Sequence, residues 1–306
     1  MNINKTVCLI ALISLILLIA PLAFSGDVAN FLTFFFLYSA MSHMLNLLIG
    51  YTGMINLGFH GFIGLGGYMF AISCTIWGLN PLVSFLFSGA VCSLIAAAAS
   101  FLIYKIRGLY FALGTIILAS AFNAWFEIWT YTGGGYGMPV TAFIDPIIFY
   151  YGGLVITAIS LFIVYLFIRA PKLRLKLVAI ADDDMAAEVC GVAVFRTKFY
   201  CWVISSFMAG IIGSLWFSSF GYITPKSAFS ISWTLIALTS LVIGGSRTLV
   251  GPIIGAFIIT LIRQFFIVIL PHVAPLLYGA ILVIVLFLFP KGVWGYIEPI
   301  IKRLLS

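Results

Sequence analysis

The chain has 306 residues, 64% of them hydrophobic and only 8% charged, whereas a water-facing globule carries about a quarter charged. That composition excludes a soluble enzyme or a nucleic-acid-binding domain and makes lipid the medium around most of the surface. The net charge of +7 fits the same picture, because the basic residues lie between apolar runs and not along one face.

Apolar runs near the 20 residues that a helix needs to cross a bilayer predict ten spans. They fall at 7–24, 31–49, 58–77, 81–104, 108–131, 147–168, 199–222, 229–245, 250–270 and 274–289. Pro81, Pro146, Pro225, Pro271 and Pro290 mark span ends. The expected class is an all-α integral membrane protein, one transmembrane domain over residues 1–306. The first run also has the make-up of a secretory signal, with Lys5, an apolar stretch and Ala23-Phe24-Ser25. Its length favours a retained span.

Charge orients the bundle. With the N-terminus inside and sides alternating, every Lys and Arg except Lys226 and the in-span Arg263 falls on an inner loop. Both termini are then cytoplasmic.

In chain order, the first unusual segment is GYTGMINLGFHGFIGLGGY, residues 50–68. Gly58, Gly61, Gly64 and Gly67 repeat every three residues, which suits close helix packing. Gly53, Asn56 and Gly58 equally suit a helix break that opens backbone to a transport pathway, with His60 and Gly61 beside it. Gly133 to Gly137 reads as a flexible outer loop. Residues 169–198, RAPKLRLKLVAIADDDMAAEVCGVAVFRTK, form the longest polar stretch. Asp182, Asp183 and Asp184 are placed to cap and load the N-terminus of a short helix through Ala187 and Glu188, and Gly191 to end it. Met185, Val189 and Val192 recur at helical spacing, so the segment predicts an amphipathic helix on the cytoplasmic surface. GGSRTLVGP, residues 244–252, predicts a tight turn.

Few polar residues interrupt the spans. Glu127 lies near an outer edge, and Arg263 lies deeper, where an ion pair or a pore-lining position accounts for it. The five Cys and three His show no metal spacing and no disulfide framework. No GxxxxGK[ST] motif occurs, so the chain is expected to bind no nucleotide or other cofactor itself.

Several of these motifs, taken in order, resemble the LivM branch of the LivH/LivM permeases of branched-chain amino-acid ABC importers. The resemblance is carried by Gly50 to Gly58 with His60-Gly61 and Gly66-Gly67-Tyr68, and by Arg107-Gly108-Leu109-Tyr110-Phe111. It continues through Thr132-Gly133-Gly134, Ala179 to Val192, Gly244-Gly245 with Gly251-Pro252, and Pro290-Lys291-Gly292. It implies an importer permease of the bacterial inner membrane. Its expected partners are a LivH-like permease subunit, two cytoplasmic ATP-binding subunits that use the ATP, and an extracytoplasmic substrate-binding protein. The segment 182–192 would be the coupling helix on the ATPase. Two positions depart from the family pattern: Ala181 stands where a basic residue is usual, and Arg247 where a third glycine is usual. The wider family also moves urea and short amides. A stand-alone secondary transporter explains the spans but predicts ionisable residues gathered at mid-membrane, and a membrane enzyme predicts a polar cluster at one face. Neither pattern is present.

Overall fold

The computed structural model describes residues 26–103, 108–142, 144–269, 274–288 and 292–305. The first predicted span and the basic residues Lys105, Arg107 and Lys291 lie outside them. Helix α1 (Gly26–Leu45) runs on through a π-helical turn at Asn46–Gly50, and α2 (Phe59–Ala71) through another at Ile72–Ile76. Then come α3 (Pro81–Ile103), α4 (Leu109–Ile128), α5 (Pro146–Arg169), α6 (Pro171–Asp182), α7 (Asp184–Val189) and α8 (Val194–Phe220). The chain continues with α9 (Pro225–Ala228), α10 (Ser232–Gly244), α11 (Gly251–Ile269), α12 (Ala274–Leu288) and α13 (Gly292–Leu305).

Seven helices among the described residues are long and apolar enough to cross a membrane: α1, α2, α3, α4, α5, α8 and the α9–α10 pair. Helices α11 and α12 fall where the last two spans are predicted. A helix satisfies its own backbone, the requirement lipid imposes. The helix starts are encoded locally. For example, Asp145 accepts the Ile147 N–H at 2.8 Å, with Pro146 in the first turn.

The packing centre is the crossing of α2 and α8, the most extensive helix contact in the molecule. A Cβ added to Gly66 would collide with the backbone of Gly210, and one on Gly213 with the Ile63 carbonyl. These backbones touch because no side chain intervenes, the usual way that membrane helices gain contact without a hydrophobic driving force. Ser214 Oγ donates to the Gly66 carbonyl at 3.1 Å across the crossing. Around it Trp202 donates its indole N–H to the Ala96 carbonyl of α3 at 2.9 Å, and Tyr68 stacks on Phe126 of α4. The repeat glycines of α2 pack closely as well, Gly61 on Ala119, Gly64 on Phe229 and Gly67 on Phe217.

The segment Gly133–Gly137, read as a flexible loop, is folded. Two 3₁₀ turns (Thr130–Thr132 and Gly134–Tyr136) lead into β1 (Met138–Pro139), which pairs antiparallel with β2 (Tyr222–Ile223). The Tyr222 hydroxyl donates to the Tyr136 carbonyl at 2.8 Å. Glycines with positive φ at 133, 134 and 137 let the backbone turn tightly enough to satisfy its own groups. This strand pair marks one end of the bundle, and α6, α7 and the turn at 245–250 mark the other.

Candidate functional site

Residues 171–192 form a two-helix arm. The amphipathic run PKLRLKLVAIAD continues as helix α6 to Asp182, so Asp182 closes α6 and does not load the next helix, as the sequence suggested. Asp183 leaves helical geometry, at φ −157° and ψ 116°, and its carboxylate accepts the N–H groups of Met185 and Ala186 at 2.8 and 3.1 Å. It is the N-cap of α7. At the far end Gly191, at φ +80°, donates to the Glu188 carbonyl and Val192 donates to Ala187, both at 3.0 Å. That is a Schellman ending, which needs the left-handed residue that glycine supplies.

The faces of α7 are sharply divided. Ala187 is 3% exposed and packs with Ile180 and Val194, whereas Met185 is 67% and Val189 89% exposed. Val192 does not share the exposed face, because the chain turns at Gly191 and returns it to that small cluster. Asp184 forms an ion pair with Lys198 of α8. Two apolar side chains are thus held outward on a short, capped helix.

The arm meets the broken segment of the glycine-rich region. A Cβ on Gly53, which has φ +67°, would stand 3.5 Å from the Ala181 Cα. Arg247 adds a second link. Its N–H donates to Asn46 Oδ1 at 2.9 Å, its Nε to the Gly50 carbonyl at 3.0 Å, and its Nη1 reaches Asp182 at 3.5 Å. Asn46 Nδ2 returns a bond to the Thr248 carbonyl at 2.7 Å. Arg247 is the non-glycine with positive φ (60°) among the described residues, a conformation that glycine adopts without strain. Its side chain clamps the π-helical end of α1 to the 245–250 turn and to α6. Tyr51 is buried beside this clamp, and burial pushes its phenol up to about 12 against a smaller pull from Arg174.

From Gly53 the chain climbs into the bundle. Residues 53–58 are non-helical with alternating exposure: Met54, Asn56 and Gly58 are buried, while Ile55 is 40% exposed. Gly58 N–H donates to Asn56 Oδ1 at 3.0 Å and to Thr115 Oγ1 at 3.1 Å, and Leu57 N–H also reaches Thr115 at 3.2 Å. Helix α2 then starts beside α10, where His60 N–H donates to Thr234 Oγ1 at 2.9 Å. Thr234 lies ten residues before Gly244, about 15 Å up α10 at 1.5 Å per residue. Helix α2 therefore begins deep in the bundle, and Gly61, one turn on, packs against Ala119. Irregular backbone at such depth persists only where it is enclosed by protein or lines water.

The structure brings Gly53 together with the arm and strings Asn56, Gly58, His60 and Gly61 along the climb. Arg263 stands apart. Among the described residues it pairs with no acid, in place of the expected ion pair; its guanidinium lies over the Phe34 ring, 3.9 Å from the centroid, with Tyr38 and Trp216 at 5.7 Å. Glu127 is exposed near the β1–β2 end and accepts from Asn123 at 3.3 Å. The sequence reading missed Thr115, Thr234 and Lys198 as partners. Threonine is unremarkable in an apolar helix, so only the break opposite it could have flagged Thr115.

Comparison with known proteins adds an independent line. Residues 28–286 match the family described as branched-chain amino acid transport system, permease component. The chain is 25% identical to the high-affinity branched-chain amino acid transport system permease protein LivM of Escherichia coli, over 98% of this chain and 77% of that protein. It is 24% identical to the LivM protein of Salmonella typhimurium, over 92% of this chain and 73% of that one. A probable branched-chain amino acid transport permease protein LivH of Methanocaldococcus jannaschii is 27% identical over 46% of this chain and 47% of its own. No solved structure matches.

Proposed function

This chain belongs to the family of branched-chain amino acid transport system permease components, and from that premise we propose that it imports branched-chain or similar small apolar amino acids, driven by ATP hydrolysed on partner subunits. As a permease component it is a multi-pass protein of the inner membrane, in a family of transporters and not of enzymes. The substrate class is supported by the two LivM relatives that align with nearly the whole chain.

The coupling reading rests chiefly on one observation: α7 holds Met185 and Val189 outward while its inner face touches the arm that meets Gly53. On this reading two cytoplasmic ATP-binding subunits dock at α7, with Asp183 capping it and Glu188 on its surface. Their movement passes through Ala181 and Asp182 to Gly53 and the Arg247 clamp, and so to residues 53–58. A LivH-like permease subunit covers the open side of that segment, and an extracytoplasmic binding protein delivers substrate at the β1–β2 end. Both termini are cytoplasmic and ten spans cross, as the charge distribution favours.

The test is uptake of radiolabelled leucine by cells with and without the chain, with ATP depleted in a parallel arm and urea and short amides as competitors. Chain-dependent, ATP-dependent uptake is expected. Uptake that survives ATP depletion but collapses with the proton gradient overturns the importer reading. For coupling, Met185→Asp with Val189→Asp is expected to abolish co-purification of the ATP-binding subunits while membrane insertion persists. Unchanged co-purification overturns α7 as their dock.

A further inference from the structure

Arg263 has no counter-charge among the described residues. It lies twelve residues beyond the start of α11 at Gly251, about 18 Å along the helix within hydrocarbon about 30 Å thick. All eight Asp and Glu fall within the described residues, and none forms an ion pair with it; Asp184 pairs with Lys198 and Asp182 with Arg247. No hydrogen bond to the guanidinium occurs among the described residues either. A cation at membrane depth is held by a partner or by water, and the described residues supply Arg263 with no anion.

The surroundings say what kind of anion fits. The guanidinium carbon lies 3.9 Å over the Phe34 ring centroid, with Tyr38 and Trp216 at 5.7 Å. Its planar fork of N–H donors matches a planar, two-oxygen acceptor. The residue is partly exposed, so that fork is reachable. Trp216 itself is buried, and its ring leads on to the partly exposed Trp233, 4.6 Å between centroids, and to the exposed Phe220 at 5.7 Å. An ionised carboxylate beside an apolar substituent is complementary to both parts. A neutral amide or urea leaves the charge unbalanced.

We propose that Arg263, held on Phe34 and flanked by Tyr38 and Trp216, is a carboxylate-recognition site on the import path, which takes the α-carboxylate of an amino acid with an apolar side chain. The proposal rests on the importer reading above. It adds that the chain itself selects amino acids over amides, in addition to whatever a binding protein selects.

The experiment uses the assembled transporter in proteoliposomes, comparing wild type with Arg263→Gln and Arg263→Lys for leucine uptake and for its inhibition by leucinamide. Arg263→Gln is expected to raise the KM for leucine by about tenfold or more, the weight of a charge-assisted hydrogen bond, and to make leucinamide a relatively stronger inhibitor. Arg263→Lys, which keeps charge but not the planar fork, is expected to recover part of the loss. Three results overturn the site. Wild-type uptake and selectivity in Arg263→Gln, with the complex intact, removes any role in recognition. Loss of the partner permease from Arg263→Gln on purification assigns the charge to an acid of the neighbouring subunit. Thermal stabilisation by anionic over zwitterionic lipid nanodiscs, present in wild type and lost in Arg263→Gln, assigns it to a headgroup phosphate. If wild type imports amides but no amino acid, the importer's substrate reading falls as well, whereas a leucine-importing wild type with an unaffected variant sinks the carboxylate site alone.

Discussion

The α2–α8 crossing and the α6–α7 arm use glycine and small residues to opposite ends. At the crossing, Gly66, Gly210 and Gly213 bring two backbones into contact over a long stretch, and nothing there can move without moving its neighbour. At the arm, Gly53 meets Ala181 at a single point, Asp182 touches Arg247 through largely exposed groups, and α7 is less than two turns of helix held by caps. On the proposed coupling, a bundle welded at its centre and touched lightly at its edge would transmit a push as a displacement of the light element, residues 53–58, and not as a deformation of the whole.

Substitutions sharpen or break that contrast. The largest effect is expected at the crossing. Gly66→Ala places a methyl group against the Gly210 backbone, which has no flexible end to give way, and is expected to cost about 3 kcal/mol or more, read as a fall in thermal unfolding temperature of the purified protein in detergent. At the arm, Gly191→Ala forces a side chain into a left-handed position at a cost of about 1–2 kcal/mol. The loss is local, so hydrogen exchange at 184–192 should rise while the global unfolding temperature barely changes. Asp183→Ala removes the α7 cap for about 1 kcal/mol, and is expected to lower transport-coupled ATP hydrolysis with normal membrane levels. Asp182→Ala has the smallest effect, within about 0.5 kcal/mol, because both partners are largely exposed and solvent screens the pair. A global collapse from Gly191→Ala or Asp183→Ala, or a tolerated Gly66→Ala, removes the distinction between the two regions.

Much of this was legible in the sequence, for physical reasons. Lipid demands long apolar helices, so nearly every described span falls within a few residues of its predicted limits. Gly191 as a helix stop and Asp183 as a cap follow from local backbone chemistry. Asp182 went astray because the helix-forming run before it is strong enough to carry α6 one residue into the acidic cluster. The contacts that organise the site join distant parts of the chain and leave no local pattern. Arg247 and Asn46 are 201 positions apart, and His60 and Thr234 are 174 apart. The depth of Arg263 was readable, but the aromatic rings that hold it come from α1 and α8. The β1–β2 pairing was invisible, since two residues on each side carry no periodicity.

The brevity of α10 has an energetic corollary. Thirteen residues of helix cover about 20 Å, against about 30 Å of hydrocarbon in a typical bilayer. The missing length is taken by the turns around α9, whose hydroxyls and peptide groups hydrogen-bond among themselves at Thr224, Ser227 and Trp233. Where these polar turns lie within the hydrocarbon, they narrow the low-permittivity slab beside α10. The work of stripping water from a polar solute falls steeply as such a slab narrows, so a zwitterion crossing here gives up its hydration over a shorter path than the membrane around it would impose.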